Sequence, residues 1–209
     1  MNKKELYENK YEVLGLTPSP YFKRQFKYIE KKYLRKDNLK ILDLGGGTGE
    51  YSLLLQELEY DVTLFDFSEQ AIKRAKMIGV KSVICEDFLT YHFKNNKYDV
   101  VFVKGFSLLN TDNKDVFLFL LEKMKHILNK DGKIVYMGQT DLSGKWTDSG
   151  WYQLGENEIT KYFNDSLLMP AFRYQLFLPL IFNTLITKVL MCFSSLLRSV
   201  SLVGIIEKT

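Results

Sequence analysis

Residues 41–52, ILDLGGGTGEYS, decide how this chain folds. Ile41, Leu42 and Leu44 form a short apolar run, as a parallel strand buried on both faces requires. Asp43 stands near its end, and Gly45, Gly46, Gly47 and Gly49 follow at once. A helical period then begins. Tyr51, Leu54, Leu55 and Leu58 recur at i, i+3, i+4 and i+7, one face of a helix. A strand that runs through glycines into a helix brings a ligand against bare backbone, where any side chain would hold it away.

Asp43, Gly45, Gly47 and Gly49 have the spacing D-x-G-x-G-x-G. This resembles the first motif of the Rossmann-like, class I S-adenosylmethionine-dependent methyltransferases. The dinucleotide fingerprint G-x-G-x-x-G fits less well, since its third glycine falls on Glu50 or on Ser52. No Gly-Lys-Ser/Thr follows, which excludes a Walker A loop here. The resemblance implies an α/β fold with a doubly wound, mostly parallel seven-stranded sheet and helices on both faces. It implies S-adenosyl-L-methionine as cofactor, leaving as S-adenosyl-L-homocysteine, and places Gly45, Gly46, Gly47 and Gly49 against it with Asp43 at their root.

The stretch DVTLFDF (61–67) reads as the second strand, ending in Asp66. An acid there can accept hydrogen bonds from both ribose hydroxyls of an adenosine ligand. Ser68 is the expected cap of the helix over 69–78, lined by Ala71, Ile72, Ala75 and Ile78 and stopped by Gly79. SVICE (82–86) reads as the third strand, followed by Asp87 and Phe88. The resemblance sets Asp87 beside the adenine amino group, with Phe88 and Phe67 as walls for the ring. YDVVFV (98–103) is the fourth strand, so Lys104 backbone and the Phe106 side chain are expected near the reacting methyl group. Lys-Gly-Phe-Ser stands where the amino-methyltransferases of DNA carry Asn/Asp-Pro-Pro-Tyr/Phe, which counts against a base amino group as acceptor. Thr111 or Asp112 is the expected cap of the next helix, whose buried stripe is Phe117, Leu120, Leu121, Met124 and Leu128. LNKDGKIVYMG (128–138) gives a helix end, an Asp-Gly turn and a fifth strand.

At 209 residues, with 46% hydrophobic and 26% charged residues, the chain suits one sizeable domain. Residues 1–37 are expected as an N-terminal helical lid and 38–209 as the Rossmann-like domain. The two cysteines, Cys85 and Cys192, make neither a metal-ligand spacing nor a disulfide framework, which points to no metal and to a reducing cytoplasm. The polar start, MNKKELYENKY, reads as no secretory signal. Of the net +4, residues 1–40 carry +6, and the basic run 23–36 reads as a helix with Phe22, Phe26, Ile29 and Tyr33 on one side. Its basic side is read first as a solvated face on a helix packed outside the domain, and second as a patch for phosphate groups, nucleic acid or acidic lipid. Before it, Thr17 or Ser19 can cap the helix, and Tyr11 or Tyr7 matches the tyrosine of the family's cofactor lid.

Residues 139–158, QTDLSGKWTDSGWYQLGENE, follow the fifth strand as a loop rich in polar and aromatic residues. Gln139, Trp146, Trp151 and Tyr152 are the candidates for stacking on and hydrogen-bonding an acceptor, against plain packing of a long loop. Asp141 and His92 are weak candidates for a general base, while His126 reads as structural. FRYQLF (172–177) and SLVGIIE (201–207) are expected as the last two strands, joined by an apolar helical insert over about 179–199. That insert is too short between charges to span a membrane; it suits packing over the site or a homodimer interface, with peripheral membrane contact as the alternative.

The chemistry implied is in-line methyl transfer to a small polar metabolite, expected to be O-methylation, with a sugar or a phosphorylated precursor of a surface glycan as the acceptor suggested. Nucleic acid is the less favoured partner. A nicotinamide-dependent oxidoreductase, an RNA or lipid/quinone methyltransferase and a catalytically silent binding protein of the same fold remain as other readings.

Overall fold

Short, β-branched and aromatic runs build the sheet. The computed structural model of the protein describes residues 18, 22–34, 38–94, 97–140, 154, 156–169 and 200–208. β1 (Lys40–Leu44), β2 (Asp61–Asp66), β3 (Ser82–Cys85), β4 (Tyr98–Lys104) and β5 (Leu128–Thr140) lie parallel to their neighbours in the order β3-β2-β1-β4-β5. β7 (Val200–Glu207) joins β5 antiparallel, and β6 (Asp165–Met169) closes the edge antiparallel to β7, completing a seven-stranded mixed sheet. The helices are α1 (Phe22–Ile29, continued by a wider π-helical turn, Glu30–Leu34), α2 (Glu50–Gln56), α3 (Glu69–Ile78), α4 (Lys114–His126) and α5 (Glu156–Tyr162). Strand order reverses between β1 and β4, and the crevice at their carboxyl ends is where sheets of this kind admit ligands.

Alternation along the strands sorts the core into two layers. Ile41, Val62, Val100, Phe102 and Val135 face Phe22, Phe26 and Ile29 of α1 and Leu55 of α2. Leu64 extends this layer to Ile72 and Ala75 of α3. On the other face Leu42, Leu44, Val101, Val103 and Ile134 meet Phe117, Leu120, Leu121 and Met124 of α4, and Tyr162 of α5. The N-terminal helix is thus part of the core and not an outer addition: Phe22 and Phe26 place their rings 5.6 and 5.9 Å from that of Phe102. Its basic side faces solvent, with Lys23 paired to Glu57 and Lys27 to Glu30.

Local chemistry sets the element ends. The Ser68 hydroxyl accepts from Ala71 N–H at 3.1 Å, and Gly79, at φ +106°, stops α3. α4 is capped by Asn113, not by Thr111 or Asp112 as the sequence suggests. Asn113 Oδ1 accepts from the N–H groups of Asp115 and Val116, while Thr111 Oγ1 accepts from Asn113 N–H. A cap must stand directly before the first helical residue to reach these donors, and Asn113 does. Leu128 belongs to β5 and not to the α4 stripe, and the pairing slips after it as Asp131 takes φ +64°. The strand beside β7 is Asp165–Met169, not 172–177, which lie outside the described residues. Asn164 fixes this register, donating its N–H to Ile205 O and accepting from Glu207 N–H.

Gly49 makes the start of α2 possible. It has φ +87°, and a Cβ there would stand 2.8 Å from both Ala75 Cβ and Val80 Cγ2, so α2 begins pressed against α3. Beneath it Asp43 is buried and accepts a hydrogen bond from Ser52 Oγ at 2.5 Å, tying β1 to α2. Burial pushes its carboxyl up to about 7, opposed by the Ser52 hydrogen bond and reinforced by the like charges of Asp66 and Glu50.

Two outcomes follow from this packing. Phe102→Ala should cost about 3–5 kcal/mol, lowering Tm by on the order of 10 °C; a shift of only a degree or two would contradict the α1–sheet packing. For Asp43 the folded value exceeds the unfolded 3.8. The unfolded chain therefore ionises first, and stability is lost as pH rises from about 4 to 7. Asp43→Asn lacks that loss, so its Tm relative to wild type should climb between pH 5 and pH 8; an unchanging gap would contradict burial outweighing the Ser52 hydrogen bond at Asp43.

Candidate active site

The glycine turn hangs on the tip of β2. Gly45 and Gly46 donate their N–H groups to Phe65 O, at 2.8 and 3.3 Å, and Gly47 N–H donates to Asp66 Oδ2 at 2.9 Å. The other carboxylate oxygen of Asp66 accepts from Ser68 N–H at 3.0 Å. One buried acid thus fixes the turn after β1 and the cap of α3 together. Gly45 has φ +71°, and a Cβ there would lie 2.5 Å from Phe106 Cδ2. The turn is bare because the next wall stands directly against it.

A cavity of about 510 Å³ opens at the carboxyl ends of the strands, large enough for a nucleoside-sized ligand. Gly45 from the first turn, Asp66 and Phe67 after β2, Asp87 and Phe88 after β3, and Phe106 after β4 all line it. The sequence-predicted residues of four separate strand ends therefore meet around one space. Phe67 is half-buried, while Phe88 is buried with its ring 5.7 Å from that of Phe106 and 6.1 Å from that of Phe65. Asp87 is exposed at the rim, and its Oδ1 accepts from Leu89 N–H at 2.9 Å. From outside, Lys123 braces this rim by donating to Leu89 O at 2.7 Å.

Other predicted residues lie elsewhere. Asp43, Gly46, Gly47 and Gly49 form the foundation of the turn and do not line the cavity. Lys104 is half-buried on the α1 side of β4, its ammonium 5.1 Å over the Tyr51 ring, and burial lowers its pKa. His92 is exposed and away from the lining. Gln139 sits in β5 opposite Ser201. Tyr7, Tyr11, Asp141, Trp146, Trp151, Tyr152 and the segment 179–199 lie outside the described residues. Among the described residues no group of three or more His, Cys, Asp or Glu is placed to hold a metal, and no helix is long and apolar enough to cross a membrane.

The sequence reading missed Phe65, Glu69, Cys85, Glu86, Leu89, Gly105, Ser107 and Leu108, which also line the cavity. Phe65, Glu86, Leu89, Gly105 and Ser107 each flank a residue it named, so widening each strand end by one position would have found these, while Glu69, Cys85 and Leu108 lie two positions away. Gly105 carries its own signal, a glycine directly after a strand, and it has φ +67°.

A family model described as a methyltransferase domain matches residues 35–165. Among solved structures, the N-methyltransferase NodS from Bradyrhizobium japonicum WM9, in complex with S-adenosyl-L-homocysteine, is similar over 99% of this chain and 98% of that one, with 15% identity and a TM-score of 0.65. The plantazolicin methyltransferase BpumL is similar over 98% and 89%, with 21% identity and a TM-score of 0.58. TehB from Haemophilus influenzae is similar over 79% of this chain, with 22% identity and a TM-score of 0.56. The chain spans only 56% of the length of TehB. No curated protein matches the chain. At these identities the structural likeness establishes the fold, while the family match covers more than half the chain and reaches from the glycine turn to the sheet edge. The chain belongs to the methyltransferase-domain family of class I, S-adenosylmethionine-dependent proteins.

Proposed function

We propose that this chain transfers the methyl group of S-adenosylmethionine to an ionised oxygen on a small polar metabolite. The observation that carries the reading is the convergence of the bare Gly45 backbone, the Asp66 carboxylate and the Asp87–Phe88 corner on one cavity. The residues fit an adenosine. An ionised carboxylate offers about four lone-pair sites, so Asp66 can accept from ribose hydroxyls while keeping Gly47 and Ser68. Phe67 and Phe88 supply aromatic faces for the ring, with Asp87 beside its amino group. Bound there, the cofactor supplies a methyl group already activated on a sulfonium.

The protein's part is then alignment and exclusion of water. The titratable groups that line the described cavity are Asp66, Glu69, Cys85, Glu86 and Asp87, all at the ends of β2 and β3 or just beyond. Among the described residues, the lining contributed after β4 is Gly105, Phe106, Ser107 and Leu108, which hold no side chain suited to act as a base. An acceptor that is itself an oxyanion needs none. A carboxylate or phosphate oxygen meets that condition, and a phosphorylated glycan precursor in the cytoplasm belongs to this class. The basic side of α1, engaged through Lys23–Glu57 and Lys27–Glu30, supports a solvated surface over an RNA track.

Asp66→Ala should weaken S-adenosylhomocysteine binding by about 1.5–3 kcal/mol, as for hydrogen bonds to a charged group. Calorimetry checks this, and unchanged affinity would mean the ribose lies elsewhere. Transfer of label from methyl-labelled S-adenosylmethionine, screened against phosphorylated and carboxylated metabolites beside neutral and amine-bearing ones, should label the acids. Label confined to amines or neutral hydroxyls would overturn the acceptor class.

A further inference from the structure

Lys104 is a cation in an unusual place. It ends β4 on the α1 face of the sheet, in step with Val100 and Phe102, whereas Val101 and Val103 face α4. Its ammonium lies over the ring of Tyr51, which in turn stands 4.7 Å from Phe22 and 6.4 Å from Phe102. Among the described residues no carboxylate stands within ion-pair distance of it, and burial alone displaces its pKa, downward. Aromatic faces attract a cation but leave its charge uncompensated. A half-buried ammonium without a counter-charge costs stability unless something else meets it.

Its position says where that partner comes from. Lys104 directly precedes Gly105, which lines the cavity, and Tyr51 opens α2 two residues after Gly49. Lys104 and the Tyr51 ring beneath its ammonium are thus chain neighbours of the cavity wall and of the glycine turn, although neither belongs to the described lining. We propose that Lys104 is the recognition point for an oxyanion, a carboxylate or phosphate carried by a molecule bound in the transfer site. This rests on the methyltransferase reading for the identity of that molecule, not for the anion itself. Two sources share the chemistry: the amino-acid tail of the cofactor and an acidic group on the acceptor.

Wild type, Lys104→Met and Lys104→Arg separate them. In one arm, calorimetry compares S-adenosylhomocysteine with 5′-methylthioadenosine, which keeps the nucleoside and lacks the carboxylate. In the other, inorganic phosphate is titrated into protein loaded with S-adenosylhomocysteine, against chloride at matched ionic strength, with Tm as the readout. If the cofactor tail is the partner, Lys104→Met should bind S-adenosylhomocysteine about ten- to a hundredfold more weakly and methylthioadenosine equally well. If the acceptor is the partner, phosphate should raise the Tm of wild type and Lys104→Arg, and the rise should vanish in Lys104→Met. Lys104→Met behaving as wild type in both arms would overturn the proposal. The Met variant removes an uncompensated charge, so its ligand-free Tm should equal or exceed that of wild type, and a lower Tm would count against the idea. Wild type that binds neither nucleoside would instead sink the methyltransferase reading, and phosphate titrated into the ligand-free protein would still decide the role of Lys104.

Discussion

Three N–H groups of one glycine turn, held by the tip of β2, are the constraint on which the rest depends. Phe65 O takes two of them and the Asp66 carboxylate takes the third. A turn that enters left-handed backbone at Gly45, Gly47 and Gly49 has no regular hydrogen-bond ladder of its own, so its donors must be met from outside. β2 meets them. That coupling sets the direction in which α2 leaves, and it holds Asp66 at the mouth of the crevice with both oxygens oriented. The same acid also receives Ser68 N–H, so the start of α3 is fixed by a group that lines the cavity.

Around this joint the protein separates rigidity from access. The aromatic wall of the cavity is the edge of the core itself: Phe88 touches Phe65, Phe93 and Phe106, and Phe65 stands 5.4 Å from Phe93. Side chains packed this way keep their rotamers, which makes the wall pre-organised. On the opposite face α1 seals the sheet with Phe22 and Phe26 and leaves Lys104 under aromatic cover. The buried charges follow the same division. Asp43 accepts from Ser52 and works in the framework; Asp66 is tied to backbone and lines the cavity; Lys104 lies over the Tyr51 ring, with no carboxylate among the described residues within ion-pair distance.

Much of this was legible in the residues, and the limits were physical. The glycine turn, Asp66, Ser68 and Gly79 could be read because each performs a local task that few residue types can do. Asp87, Phe88 and Phe106 could be placed because a parallel sheet brings successive strand ends together. The last strand, SLVGIIE, was read as such, but its edge partner was not: DSLLM takes that place through its pairing with β7 and the hydrogen bonds of Asn164, contacts far apart in sequence. The cap of α4 was missed because Thr111, Asp112 and Asn113 all have the right chemistry and only backbone position separates them. The setting of Lys104 was not readable either. Its backbone position followed from β4, but its cover comes from Tyr51, a residue of the helix that the glycine turn aims.

A crystal structure grown with S-adenosylhomocysteine tests the central claim most directly. The account predicts density for the nucleoside in the crevice, ribose hydroxyls within hydrogen-bond distance of Asp66, the adenine between Phe67 and Phe88, and the sulfur directed toward the end of β4. A pyrophosphate-bearing ligand seated on the glycine turn instead, or a crevice left empty at saturating S-adenosylhomocysteine, would contradict it.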